Sequence, residues 1–149
     1  MINDKLTLRG DLLITLKDKD GKVKVSREEK NLIVDVGLAF ICSRMTGTSA
    51  ATMSHMAVGS NNTPASATDT DLGSILGSRV ALDLADSNNN TVTYTASFSA
   101  GVGTGAIVEA GIFNASTGGT MLCHTVFPVV NKGVDDVMSI SWSVSLSAA

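Results

Sequence analysis

Cysteine, proline, aromatic residues and charge are all scarce in this 149-residue chain. It has two cysteines, Cys42 and Cys123, too few for a disulfide framework. Both sit in apolar surroundings and are expected to be reduced and buried. Phe, Tyr and Trp together number six, and Tyr94, Phe98 and Trp142 fall at core-facing parity, so no base-stacking platform is indicated. Charged residues make up 17% and the net charge is −3, which argues against a nucleic-acid binder that works through charge. No uncharged apolar run reaches the ~18–20 residues of a membrane-spanning helix. No basic segment followed by an apolar one opens the chain, so no secretory signal is expected. Hydrophobic residues make up 44%, which excludes an intrinsically disordered chain. The length fits one domain able to bury roughly 70% of its unfolded surface without a staple.

What is present is unevenly spread. Residues 1–44 hold nine Lys/Arg and seven Asp/Glu, whereas residues 45–149 hold two and seven. Ser and Thr run the other way, with four in the first segment and 28 in the second. The sequence therefore predicts a charged N-terminal hairpin arm over residues 1–30 and a hydroxyl-rich body over 31–149, within a single domain, the arm being either a reaching element or an integral edge hairpin of the body. A body so poor in charge relies on hydroxyls, amides and backbone for solubility, a composition more usual in β-structured assemblies than in cytosolic enzymes.

Hydrophobic periodicity assigns the elements. Leu12, Ile14 and Leu16 alternate with polar neighbours. Asp20-Gly21 marks a two-residue turn, and Val23 and Val25 begin the return strand. Arg27–Lys30 are polar and expected at the surface. A stripe at spacings of three and four, from Ile33 to Met45, predicts one short α-helix over about 32–45, with Asn31 as N-cap and Gly47 as stop. Strands are expected at 55–59, 79–84, 91–99, 106–113, 120–127 and 137–146, with a loop over 60–71. The pattern predicts a mainly β fold, an antiparallel β-sandwich or barrel. In the last strand Ile140, Trp142, Val144 and Leu146 face one side, and Ser139, Ser141, Ser143 and Ser145 the other. A face of small hydroxyls suits contact with another protein, because bulky charges would need desolvation.

Sequence motifs that suggest chemistry fail on spacing. Gly101-Val-Gly-Thr-Gly105 lacks the GxGxxG pattern and a following helix. Asp18-Lys-Asp-Gly21 fits a hairpin turn better than a calcium loop. His55, His124, Cys42 and Cys123 show no metal-ligand spacing. Cys123 and His124 are neighbours in a strand, so one is expected buried and the other exposed. No GxSxG elbow marks a catalytic serine. Glu28-Glu29 and Asp135-Asp136 look like solvated turns. Arg9-Gly10-Asp11 spells an adhesion tripeptide but lies between alternating runs, where a bend or bulge is expected. No catalytic residue, cofactor or metal is assigned.

Four segments taken together resemble a known family. They are Lys30–Leu38, His55–Gly59 with Thr63–Gly73, Glu109–Asn114 with Gly118–Gly133, and Ser139–Leu146. They resemble small virion proteins of tailed bacteriophages and prophages, found among capsid decoration (cement) proteins and tail-fibre or tail-associated proteins. The similarity spans about residues 30–147. It implies a non-enzymatic structural protein of the virion, made in the bacterial cytoplasm and seated on the capsid surface, with the major capsid protein as partner. Capsid symmetry favours a homotrimer. The partner-contact residues expected on this reading are Arg9, Lys17, Lys19, Lys22, Lys24, Arg27 and Lys30 of the arm, with Ser139, Ser141, Ser143 and Ser145. A tail-fibre or baseplate subunit is the alternative, followed by a receptor- or glycan-binding module. Neither nucleic acid nor membrane is an expected partner.

Overall fold

The structure, a computed structural model, describes residues 5–48 and 50–148. Met1–Asp4, Ser49 and Ala149, which belong to the two predicted segments, lie outside the described residues. Among the described residues ten strands form two five-stranded antiparallel sheets. Sheet A has the order β2-β1-β10-β7-β6, and sheet B the order β3-β9-β8-β4-β5. In sheet A these are β1 (Leu6–Lys17), β2 (Val23–Lys30), β6 (Leu84–Asn88), β7 (Thr91–Phe98) and β10 (Val137–Ala148). In sheet B they are β3 (Leu32–Ile33), β4 (His55–Gly59), β5 (Val80–Ala81), β8 (Gly105–Phe113) and β9 (Met121–Lys132). The fold is the expected antiparallel β-sandwich with one short helix, α1 (Asp35–Arg44).

The N-terminal hairpin is built into the sandwich and forms no separate arm. β1 pairs with β10 along its whole length, from Leu6 opposite Ala148 to Lys17 opposite Val137. Leu12, Ile14 and Leu16 are buried in the main core with Trp142, Ile140, Phe98 and Phe127. Charge on β1 is confined to its outward positions, whereas Arg27 and Glu29 of β2 lie opposite Ile14 and Leu12 at inward parity and are half-buried at the rim of the core, against the expectation that Arg27–Lys30 all lie at the surface.

Several local expectations need correction. The hairpin joint is a longer loop, in which the Asp18 carboxylate accepts the N–H groups of Asp20 and Lys22, both at 2.9 Å. Gly21, at φ 83°, supplies the left-handed position there. Leu32 and Ile33 pair with β9 as a strand, so the helix begins only at Asp35. Its N-cap is Val34, with no side-chain capping bond, and Asn31 lies outside the helix. The strand expected at 79–84 is two: the backbone leaves sheet B after Ala81 and enters sheet A at Leu84. Cys42 is exposed on α1, while Cys123 is fully buried. Arg9-Gly10-Asp11 lies within β1, and a Cβ on Gly10 would overlap the Asn31 amide.

The two sheets are used differently. Sheet A packs one face on the core and leaves the other to solvent, and β10 alternates as the sequence predicts. Sheet B is covered on both faces. Its outer face carries a second small cluster, Val34, Ala57, Phe113 and Met121, with Val36 and Leu72 packed on it. Helix α1 approaches β9 so closely at Gly37 that a Cβ there would overlap the Leu122 backbone. The segment running from β4 to β5 crosses the same face, where Ala67 O accepts the Asp35 N–H, and then returns along the edge of β4, with Leu76 N–H donating to Val58 O and Ser60 N–H to Ser74 O.

Candidate functional site

The outward face of sheet A gathers the four predicted serines into a two-dimensional array. Strand register sets its rows. Ser145 lies between Arg9 and Thr91, and Ser143 between Asp11 and Thr93. Ser141 lies between Leu13 and Thr95, and Ser139 between Thr15 and Ser97. Ser145 and Thr91 share a hydroxyl hydrogen bond at 3.1 Å, and Ser97 donates to Asp83 at 2.7 Å. The hydroxyls of Ser139, Ser141 and Ser143 have no side-chain hydrogen bond among the described residues. Leu13, 42% exposed, is the apolar centre of this face.

The predicted cations do not form one patch. Arg9 pairs with Asp11 at 2.7 Å, and Lys30 lies 3.8 Å from the same carboxylate. Lys24 pairs with Asp136 at 2.8 Å. Arg27 bonds the carbonyl of Pro128 and lies 3.4 Å from Glu29, closing the open edge of β9. Lys17, Lys19 and Lys22 are exposed at the hairpin end and have no ion pair among the described residues. These three are the cations that structure leaves available.

Asp136 is buried rather than solvated, and it accepts from Lys24 and from the Gly133 N–H at 2.7 Å. The Lys24 hydrogen bond, with that N–H, holds its carboxyl below the usual carboxylate range. Asp69 also lies below that range: burial raises it, but the Ser66 N–H and the bond to His124 outweigh burial. A carboxyl depressed in the folded state stabilises the fold above its unfolded value, and that contribution is lost as pH falls through the folded value. The urea midpoint is therefore expected to stay level from pH 7 to about 5 and to fall below about pH 4. Lys24→Met should shrink the acid-sensitive part of that fall. An unchanged profile in Lys24→Met would show that the Asp136 contact does not contribute.

One buried polar cluster escaped the sequence reading. Glu109, on β8, is fully buried. One carboxylate oxygen accepts the N–H groups of Asn61 and Ser74, and the other accepts that of Gly73, each at 2.9 Å. His124 Nε2 lies 3.0 Å from Glu109, and its Nδ1 lies 2.7 Å from Asp69. Both Cys123 and His124 are buried, against the expectation of one in and one out. The reason is the crossing segment over sheet B, which covers the face to which His124 points.

Chemically, the cluster is a strap. Glu109 gathers three backbone donors of the crossing segment, and Asp69 of that segment reaches His124 on the sheet. Both ring nitrogens of His124 face carboxylates, so neither is positioned to take a proton from a serine. Burial pushes the Cys123 thiol far up, which disfavours the thiolate needed for metal binding or nucleophilic attack. Among the described residues no group of three His, Cys, Asp or Glu side chains is arranged to hold a metal ion. No helix among them is long and apolar enough to cross a membrane. The visible signal for Glu109 was a lone acid inside the apolar run Ala106–Phe113. Comparison with protein-family models, with curated proteins and with solved structures gives no match for this chain.

Proposed function

We propose that this chain is a non-enzymatic structural protein of a tailed-phage virion, a decoration protein that binds the major capsid protein lattice as a homotrimer. The observation that carries this reading is the hydroxyl face of sheet A. Hydroxyls from β1, β10 and β7 form a continuous surface that costs less to desolvate than charges and still hydrogen-bonds across an interface. The resemblance of residues 30–147 to phage virion proteins supplies the address. A protein that binds the assembled lattice and not its free subunits stabilises the lattice by mass action. From strand spacing the face covers roughly 400–500 Å². That is about half of the ~800 Å² per partner in a standard interface. The rim, with Arg9 at one end and Lys17 at the other, completes the contact.

The test is co-sedimentation of the purified protein with expanded capsids, together with its oligomeric state. A trimer that saturates the lattice is the expected result. Ser141→Lys with Ser143→Lys should abolish binding while leaving the fold intact, because both side chains point to solvent. A monomer that fails to bind capsids would overturn the reading. Density along the tail in cryo-EM of the virion would replace the capsid address by a tail one.

A further inference from the structure

The two edges of sheet A are unlike. The β2 edge carries Lys24, Arg27 and Lys30, and the Arg27 side chain caps β9 carbonyls beside it. Long cationic side chains of this kind are how proteins guard an edge strand. The other edge, β6, reads Leu84-Ala-Asp-Ser-Asn88 and has neither lysine nor proline. Among the described residues it pairs with β7 alone, and all five of its residues are exposed. No lysine or arginine occurs between Arg79 and Lys132. Arg79 itself is committed, stacked on Phe113 and donating to the carbonyls of Ala115 and Gly118. This edge is therefore acidic, through Asp83 and Asp86.

An apolar cleft of about 470 Å³ opens beside the same edge. Phe40 and Ile41 of α1 form one wall, and Val92, Tyr94 and Val144 of sheet A the other, with Ser87 of β6 at its lip. Arg44 also lines the cleft, on the inward side away from Asp86, and its guanidinium is committed to the carbonyls of Thr48 and Ala50. Register explains the alignment. Ala85 and Ser87 lie opposite Tyr94 and Val92 and so share their inward parity, whereas Leu84, Asp86 and Asn88 point outward.

We propose that β6 is a strand-addition site for an extended segment of a partner protein, in which apolar residues alternate with Lys or Arg. Backbone groups on the unpaired side of β6 would bond the added strand. Its inward residues would lie over the cleft against Phe40 and Ile41, and its outward cation would sit beside Asp86. Charge decides the class of occupant. Two copies of β6 paired antiparallel about their centre would set Asp86 against Asp86, and like charges directly opposite are destabilising. A segment bearing Lys or Arg removes that conflict. This site adjoins the hydroxyl face, since Asp86 lies in the row of Thr93 and Ser143, but it uses the backbone edge and the cleft, and capsid binding through the serines is measured separately.

The test is selection of displayed random nonapeptides on the purified full chain. Enriched peptides are expected to alternate apolar residues with Lys or Arg. A synthetic copy of the leading peptide should slow amide exchange across Leu84–Asn88. Asp86→Lys should weaken that peptide at least tenfold, and should strengthen a version with Glu in place of its cation. Asp86 is exposed, so an unchanged circular dichroism spectrum is expected and confirms that the variant folds. No enrichment above the starting library, or enriched peptides that leave β6 exchange unchanged, would overturn the proposal. Concentration-dependent protection of β6 without peptide would also overturn it, by assigning the edge to a second copy.

Discussion

Glu109→Ala is expected to destabilise the fold by about 3–5 kcal/mol, the range seen when one partner of a buried charged network is removed. The carboxylate is fully buried and satisfies three N–H donors of the crossing segment as well as facing His124. Removing it leaves those donors without acceptors, and each unpaired buried group costs about 1–3 kcal/mol. Part of that is regained if the segment lifts and lets water in, which is why the sum is not the full total of the separate costs. Urea denaturation measures the loss. Amide exchange should accelerate first at Asn61, Gly73 and Ser74, ahead of β1 and β10. Glu109→Gln keeps the shape but turns an N–H donor toward donors, so its cost should be smaller and of the same sign. A loss under about 1 kcal/mol for the alanine variant would mean that the segment is held by its apolar contacts instead.

Trp142→Ala carries the second large effect, about 3–5 kcal/mol, as for other fully buried aromatic residues cut to alanine. The ring sits at the centre of sheet A between Leu12 and Tyr94 and is fully buried. Its indole Nε1 is buried with no hydrogen-bond partner among the described residues. That distinguishes the phenylalanine variant. Trp142→Phe loses apolar volume worth about 2–3 kcal/mol but also removes an unpaired N–H worth about 1–3 kcal/mol. The expected net loss is under about 2 kcal/mol. Thermal unfolding of the three proteins tests the pair. Equal losses for the alanine and phenylalanine variants would show that the indole N–H is satisfied after all.

The outcomes differ between the sheets for one reason. In sheet A a single face is buried, so period two survives in the sequence. Leu12, Ile14 and Leu16, then Tyr94 and Phe98, then Ile140, Trp142 and Val144 all read correctly as inward residues. The serines of β10 read correctly as outward ones. Sheet B is buried on both sides, so alternation no longer distinguishes core from solvent. Bulges shift its parity further. The register between β8 and β9 slips between Ile107 and Glu109, so that Ile107 and Ala110 both reach the main core while Glu109 turns to the opposite face. Counting in twos from Ile107 would have pointed that carboxylate into the apolar interior.

By itself the sequence determined the class of fold, the hydroxyl face and the inward set of sheet A, because local alternation records which face meets water. Tertiary structure alone decided three further things. It placed the N-terminal hairpin inside the sandwich, since β1 finds its partner in β10 at the far end of the chain. It brought Asp69, Glu109 and His124 together from a loop and two strands. It left the outer edge of β6 without a partner strand among the described residues, beside an apolar cleft, while β2 is guarded by cations. Each depends on contacts between residues far apart in sequence, which no local pattern of burial or charge encodes.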